Sequence, residues 1–159
     1  MTAGEVLVID DDRDLCALLA LRIQQAGFRV SWRTSAAEAL EFLDSHDVDT
    51  ILTDVAMPGM DGLELCERIV AGRPDVPVVI LTGAGRLETA IAAIRAGAYD
   101  FITKPPDMNA LAVALGRAVE HRRLRGEVKR LRRAVEQAQG FGELIGTSPP
   151  MQRLYGVLG

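Results

Sequence analysis

Residues 50–62, TILTDVAMPGMDG, carry the most informative pattern in the chain. Four residues typical of a buried strand lead to Asp54, and the chain then changes at once to residues typical of turns and loops. A carboxylate at the end of a buried strand is held rigidly by the core while its oxygen atoms reach solvent. Asp54 is therefore suited to modification or metal binding, although an aspartate that only caps a loop has the same local pattern.

Strands and helices alternate strictly on either side of this segment. Apolar runs and alternating patterns predict five strands, at residues 5–9, 28–32, 49–53, 77–81 and 99–102. A helical pattern follows each strand, with capping residues at Asp12, Ser35, Asp61 and Asp107 and apolar positions Leu87, Ile91 and Ile94 in the fourth helix. Five strand–helix units predict an α/β fold, a doubly wound five-stranded parallel sheet with order 2-1-3-4-5.

Composition indicates one globular domain followed by an appendage. The chain has 159 residues, of which 48% are hydrophobic and 25% charged, as in folded rather than disordered proteins. Residues 1–116 contain 9 basic and 18 acidic residues, a net charge of −9. Residues 117–140 contain 8 basic and 3 acidic residues, a net charge of +5. An acidic domain therefore precedes a basic segment.

Cysteine use and hydropathy indicate a cytoplasmic protein. Cys16 and Cys66 lie on predicted helices without metal-ligand spacing, so we expect two reduced, core-facing thiols, with a disulfide as the alternative. No signal peptide opens the chain, and no apolar run approaches about 18 residues. We therefore expect no membrane partner.

The last helix changes character beyond residue 117. Its apolar positions are spaced 4, 3, 4 and 3 residues apart, at Leu124, Val128, Leu131, Val135 and Ala138. A stripe this narrow predicts the seam of a two-stranded coiled coil, hence a homodimer, and a single solvated helix is the alternative. Gly140 is expected to end the helix.

Seven arginine and lysine residues within 122–133 admit contact with nucleic-acid phosphates. These charges flank an apolar seam, and no aromatic residue lies among them for base stacking. We therefore expect no direct contact with nucleic acid.

Polar residues end four of the predicted strands. They are Asp10 and Asp11 after the first, Asp54 after the third, Thr82 after the fourth and Lys104 after the fifth. The carboxyl ends of parallel strands form the ligand crevice of such a sheet. Three carboxylates there repel one another unless a cation lies among them, and oxygen ligands favour magnesium. The backbone carbonyl of Ala56 is placed to add a further oxygen.

This set of residues predicts phosphoryl transfer onto Asp54. Its carboxylate would attack the phosphoryl group, while Lys104, Thr82 and magnesium hold the equatorial oxygens. No residue remains as a general base, so we expect slow hydrolysis rather than turnover of an external substrate. Singly, Lys104 could be a surface charge and Thr82 a helix cap. A magnesium-dependent aspartyl-phosphate phosphatase is the enzymatic alternative, but it would need a second carboxylate where Ala56 stands.

Four motifs resemble the receiver domain of two-component response regulators over about residues 4–120. They are residues 8–12, residues 54–62, Thr82-Gly83 and Lys104-Pro105. The resemblance implies a flavodoxin-like, CheY-like fold, Asp54 as phosphoacceptor, a sensor histidine kinase as donor and a cis peptide before Pro105. It also implies that Phe101 is the switch aromatic. Pro106 departs from the family, which usually has phenylalanine there.

The basic helix and residues 141–151 resemble the linker and first AAA+ residues of sigma-54-dependent activators of the NtrC and DctD type. We therefore expect a receiver domain over residues 1–120, a coiled-coil linker helix over 121–140 and the truncated start of an AAA+ domain over 141–159. Neither a G-x-x-x-x-G-K-[ST] loop nor a helix-turn-helix occurs. We expect no ATP hydrolysis by this chain.

These parts together suggest a phosphorylation-controlled dimer switch. Phosphorylation of Asp54 would draw in Thr82, reposition Phe101 and change the packing of the fourth helix, fifth strand and fifth helix, which is a second expected dimer face. The linker seam would respond and free the following ATPase to assemble. A phosphorelay intermediate without transcriptional output is the remaining alternative.

Overall fold

The structure, a computed structural model, describes residues 4–83 and 87–144, with side chains described up to residue 138. Strands and helices alternate along these residues. The strands are β1 (Glu5–Ile9), β2 (Arg29–Arg33), β3 (Thr50–Asp54), β4 (Val78–Gly83) and β5 (Asp100–Lys104). The helices are α1 (Arg13–Gln25), α2 (Ala36–Ser45), α3 (Gly62–Gly72), α4 (Leu87–Arg95) and α5 (Met108–Leu144).

The five strands form one parallel sheet in the order β2-β1-β3-β4-β5, which confirms the predicted topology. Neighbouring residues of a strand face opposite layers because side chains alternate along it. Leu7 and Ile9 of β1 pack in the layer with α2, α3 and α4, whereas Val6 and Val8 pack with α1 and α5. Helices thus cover both faces of the sheet, as its continuous apolar strands predict.

Local signals set the helix ends. Asp12, Ser35 and Asp61 each accept a hydrogen bond from the backbone N–H three residues later, at 3.2, 3.1 and 2.9 Å, which confirms these predicted caps. Gly27 follows the end of α1 with φ +106°, a conformation that favours glycine.

The four later strands begin one residue after their predicted starts and end one or two residues after their predicted ends. The cause is ladder pairing that continues into the polar residues. Asp54 pairs with Leu81, and Lys104 pairs with Gly83. Asp54, Thr82 and Lys104 therefore lie within strands and not in the loops that follow them, which holds their main chains rigidly.

Two helices differ from prediction. In α4 the apolar residues Leu87, Ile91 and Ile94 are exposed, and the residue that enters the core is Ala93. A small residue there lets the helix backbone approach the sheet. The other difference is that α5 continues through Gly140 to Leu144, because a glycine weakens a helix by only about 1 kcal/mol.

The chain divides into two compact units, Met1–Arg122 and Arg123–Gly159. Of the predicted AAA+ segment, residues 145–159 lie outside the described residues. Within the described part of the chain, no helix is long and apolar enough to span a membrane.

Candidate functional site

Three acidic side chains come together at the carboxyl ends of β1 and β3. One carboxylate oxygen from each of Asp10, Asp11 and Asp54 lies within 4.8 Å of the other two. Asp10 is 2% and Asp54 6% exposed, whereas Asp11 is exposed. The cluster is therefore buried on the side of the sheet and open to water on the side of Asp11.

Lys104 brings a positive charge to this cluster from β5. Its Nζ atom lies 3.0 Å from Oδ1 of Asp54 and 3.4 Å from Oδ2 of Asp10. Burial alone would lower the pKa of Lys104, but the hydrogen bond to Asp54 and the charges of both aspartates outweigh it and raise that pKa. The ammonium group therefore stays charged at neutral pH.

Asp10 is the most constrained of the three carboxylates. Its Oδ1 atom accepts a hydrogen bond from the backbone N–H of Asp12 at 2.9 Å. Burial raises the pKa of Asp10 and the nearby charge of Asp54 adds to this, while the Asp12 hydrogen bond and Lys104 offset part of it. A buried carboxylate of this kind is destabilised when ionised, and a bound cation would relieve that.

The remaining predicted site residues lie on β4, on β5 and in the loop after β3. Thr82 is buried on β4, and its hydroxyl donates to the backbone oxygen of Gly83 at 3.1 Å. Ala56 is exposed two residues beyond Asp54. Phe101 on β5 is half-buried and packs against the core layer of α2, α3 and α4. The peptide between Lys104 and Pro105 is cis, as predicted.

The donor atoms of the cluster fit a magnesium ion. All three acidic ligands are hard carboxylate oxygens, which Mg²⁺ prefers over nitrogen or sulfur. Mg²⁺ usually keeps several water ligands, and the open side at Asp11 provides room for them. Within the described residues this is the one group of three or more acidic, histidine or cysteine side chains with such spacing.

Residues 6–116 match the family profile described as the response regulator receiver domain. The chain belongs to this family. Its sheet order, 2-1-3-4-5, is the flavodoxin-like order of CheY-like receivers, and a solved receiver domain from Clostridium thermocellum superposes with a TM-score of 0.72 at 30% identity. That match covers 76% of this chain and 98% of the other.

Longer relatives extend the similarity beyond the receiver. The C4-dicarboxylate transport transcriptional regulatory protein DctD of Rhizobium meliloti is 45% identical over 152 residues, which are 96% of this chain and 33% of that protein. The structure of NtrX from Brucella abortus superposes with a TM-score of 0.76 at 36% identity and covers 82% of this chain and 30% of that one. The receiver chain thus spans about a third of the length of the curated relatives it matches.

Sequence analysis missed two contacts behind the receiver site. Gly62, the first residue of α3, donates its N–H to the oxygen of Val55 at 2.9 Å, and a Cβ placed on it would lie 2.0 Å from the backbone oxygen of Asp54. Cys16 of α1 is buried and its thiol donates to the backbone oxygen of Asp10 at 3.2 Å. In the sequence, the pair Asp61-Gly62 indicates only the start of a capped helix, and Cys16 indicates only a residue that faces the core.

The seam residues of α5 lie on the surface of the described chain. Leu124, Val128, Leu131 and Val135 are 56%, 45%, 60% and 53% exposed. The described helix therefore leaves these four aliphatic residues uncovered, as it does its other residues from 123 to 138.

Arg122, which the sequence placed beside the seam, binds the loop between α2 and β3. Its guanidinium donates to both carboxylate oxygens of Asp47 at 2.9 Å, to Oδ1 of Asp49 at 3.0 Å and to the backbone oxygen of Val48 at 2.7 Å. Arg122 therefore anchors the last turn of the compact unit Met1–Arg122.

Proposed function

We propose that the chain is a phosphoacceptor that takes a phosphoryl group onto Asp54 from the phosphohistidine of a sensor histidine kinase. The observation that supports this most directly is the cluster itself. Three carboxylate oxygens lie within 4.8 Å, and the ammonium group of Lys104 lies 3.0 Å from Oδ1 of Asp54. A carboxylate in such a setting is a nucleophile held for in-line attack.

In the proposed step an oxygen of Asp54 forms a bond to phosphorus as the phosphorus–nitrogen bond of the donor breaks. The imidazole leaves with the electron pair of that bond and takes up a proton. Lys104 balances the charge of the phosphoryl oxygens, and the Thr82 hydroxyl turns from Gly83 to donate to one of them. The product is an acyl phosphate that water hydrolyses slowly, because Ala56 offers no acid or base.

Asp10, Asp11 and Asp54 would hold magnesium, with the backbone oxygen of Ala56 as a fourth protein ligand. When bound, the ion neutralises the carboxylates and polarises the phosphoryl group. The buried position of Asp10 and Asp54 orients their carboxylates before the ion arrives. Asp11, on the surface, supplies the ligand at the side of the cluster that is open to water.

The output of the proposed switch is a change of dimer state in a sigma-54-dependent activator. The similarity to DctD and NtrX over nearly the whole chain supports this role. In this proposal residues 1–120 are the receiver, residues 121–140 the coiled-coil linker and residues 141–159 the start of an AAA+ domain of a cytoplasmic regulator. Thr82 and Phe101 transmit the change to α4, β5 and α5, and the linker seam pairs two copies.

Mass spectrometry after incubation with acetyl phosphate and Mg²⁺ tests the acceptor. We expect the wild-type protein to gain one phosphoryl group, mapped to Asp54 after borohydride trapping, and Asp54→Asn to gain none. Asp61→Asn is the matched control, because it makes the same chemical change and asparagine also caps helices. Modification of Asp54→Asn to the wild-type extent would reject the assignment. Steady turnover of p-nitrophenyl phosphate would favour the phosphatase alternative.

Sedimentation velocity tests the dimer. We expect Leu131→Glu to lower the dimer fraction measured with beryllofluoride and Mg²⁺. Leu21→Glu is the control, because Leu21 is a similarly exposed leucine on α1. Equal dimer fractions in the wild type and Leu131→Glu would exclude the seam as an interface.

A further inference from the structure

The main chain of Asp10 is fixed by contacts that lie outside the β1–β3 ladder. The pairing of β1 with β3 ends at Ile9 and Thr53, one residue before Asp10. Beyond that point the N–H of Asp10 donates to the backbone oxygen of Arg33 at 3.3 Å. The backbone oxygen of Asp10 accepts a hydrogen bond from the thiol of Cys16 at 3.2 Å.

Cys16 is well placed to hold this carbonyl. It lies on the first turn of α1, is fully buried, and its own N–H donates to the oxygen of Asp12 at 3.0 Å. Its sulfur also lies 3.7 Å from the backbone oxygen of Arg33, the group that receives the Asp10 N–H. The thiol therefore links the ends of β1 and β2 behind the acidic cluster.

We propose that Cys16 is a positioning residue for the magnesium ligand Asp10, acting by a thiol hydrogen bond to the Asp10 carbonyl. This inference rests on the proposed function. A fixed carbonyl fixes the Cα–Cβ direction of Asp10, and the Asp12 N–H then fixes the carboxylate from its other side. Groups that hydrogen-bond the side chain of a metal ligand commonly change metal affinity by about 10- to 100-fold when lost, and we expect the lower end of that range here because the thiol is a weak donor that bonds the backbone of the ligand.

The molecule contains its own control. Cys66 is the second buried free cysteine, and its sulfur lies 3.6 Å from the backbone oxygen of Ala96, in the layer with α2, α3 and α4. Each thiol donates a hydrogen bond to a backbone oxygen, at 3.2 Å for Cys16 and 3.6 Å for Cys66. The two residues differ in whether the thiol contacts a ligand of the proposed ion.

Isothermal titration with Mg²⁺ and hydrogen exchange in the metal-free protein together test the proposal. Cys16→Val removes the donor and adds roughly one methyl group to a buried site, a change that Cys66→Val makes in the other core layer, whereas Cys16→Ser keeps a donor. We expect Cys16→Val to raise the Kd for Mg²⁺ about tenfold, and Cys16→Ser to stay within about threefold of the wild type. We expect Cys66→Val to leave the Kd unchanged. In the metal-free protein, the Asp12 amide should exchange faster in Cys16→Val than in the wild type and in the other two variants. The reason is that the Asp10 carboxylate, which accepts the Asp12 N–H, is then held less firmly.

A wild-type Kd and wild-type Asp12 exchange in Cys16→Val would overturn the proposal. So would equal shifts in Cys16→Val, Cys16→Ser and Cys66→Val, because packing would then be the cause. Phosphorylation at saturating Mg²⁺ separates this outcome from failure of the proposed function. If the wild type binds no Mg²⁺ and Asp54 is not phosphorylated, the proposed function fails and the inference fails with it.

Discussion

Gly62→Ala should disturb the proposed acceptor, Asp54, through a main-chain collision. Gly62 lies in helical backbone and not at positive φ, so its conformation does not require glycine. The atoms around Gly62 do require glycine, because they leave no room for a Cβ. A Cβ there would lie 2.0 Å from the oxygen, 2.9 Å from the carbonyl carbon of Asp54 and 3.0 Å from the Cα of Val55. All three atoms belong to the backbone at the end of β3, so no side chain can rotate away.

The size of the effect follows from these distances. Ordinary van der Waals contact begins near 3.4 Å, so α3 or the end of β3 must move by about 1.4 Å. Overpacking of this kind costs about 1–3 kcal/mol, and the helix preference of alanine returns at most about 1 kcal/mol. A displacement of about 1 Å at a reacting group can lower the rate about 100-fold. We expect a loss of about 1–2 kcal/mol in the free energy of unfolding and a much larger relative loss of phosphorylation rate.

Urea unfolding and the initial rate of phosphorylation by acetyl phosphate measure the two effects separately. The rate is measured at a temperature where the variant is fully folded by circular dichroism. Gly72→Ala is the matched control at the other end of α3, because no atom lies within 4 Å of its added Cβ. We expect that variant to be as stable as the wild type or up to about 1 kcal/mol more stable, with an unchanged rate.

One pattern of results would refute this reasoning. If Gly62→Ala is phosphorylated at the wild-type rate and matches Gly72→Ala in stability, the contact between Gly62 and the Asp54 carbonyl does not position the acceptor. The Asp54 backbone would then be held by the β-ladder alone.

Three further predictions concern metal, pH and the Arg122 anchor. Mg²⁺ at 100 times its Kd should raise the free energy of unfolding by about 2.7 kcal/mol in thermal melts, and Asp10→Asn should remove that gain. Burial raises the pKa of Cys66 from 9.0 to about 11, so the native protein keeps a proton that the unfolded chain releases. The free energy of unfolding should therefore fall as the pH rises from about 9 to 11, and this thiol should account for about 2–3 kcal/mol of that fall. Urea titrations of Cys66→Ala should show a fall that is smaller by this amount. Arg122→Gln should lower the free energy of unfolding by about 1–2 kcal/mol, because its bonds to Asp47 and Asp49 are lost. Salt at about 0.5 M should reduce this difference from the wild type by screening the ion pairs. An unchanged urea midpoint would exclude the anchor.

The sheet and its polar strand ends could be predicted because they depend on local pattern. Continuous apolar runs mark buried parallel strands, and the rule that ligands bind at the carboxyl ends of strands then brings Asp10, Asp54 and Lys104 together. The structure places the Lys104 ammonium between the two carboxylates, at 3.4 and 3.0 Å. Neither step needs knowledge of contacts between distant residues.

The contacts that the sequence did not reveal depend on how separate elements pack, and they involve residue types that also fit common local patterns. Arg122 binds Asp47, which lies 75 residues earlier in the chain. Because Arg122 stands among other basic residues beside the seam, the sequence does not distinguish it from them. Gly62 matters because of what lies against it, whereas its sequence signals only a helix start. In α4 the apolar pattern marked Ile91 and Ile94, but the side that meets the sheet is set by Ala93.

The charge of the cluster connects the magnesium and acceptor proposals. Three carboxylates and one ammonium group give the side chains a net charge of −2 around Asp54. A phosphoryl donor is itself anionic, so without a cation the crevice repels the group it is proposed to receive. One divalent ion balances the charge, whereas Lys104 alone offsets only one carboxylate. Burial of Asp10 sharpens the requirement, because water cannot screen a charge that is 2% exposed. Under these two proposals Asp54 would accept a phosphoryl group only when the ion is bound, and the groups that orient Asp10 would contribute to the phosphorylation chemistry.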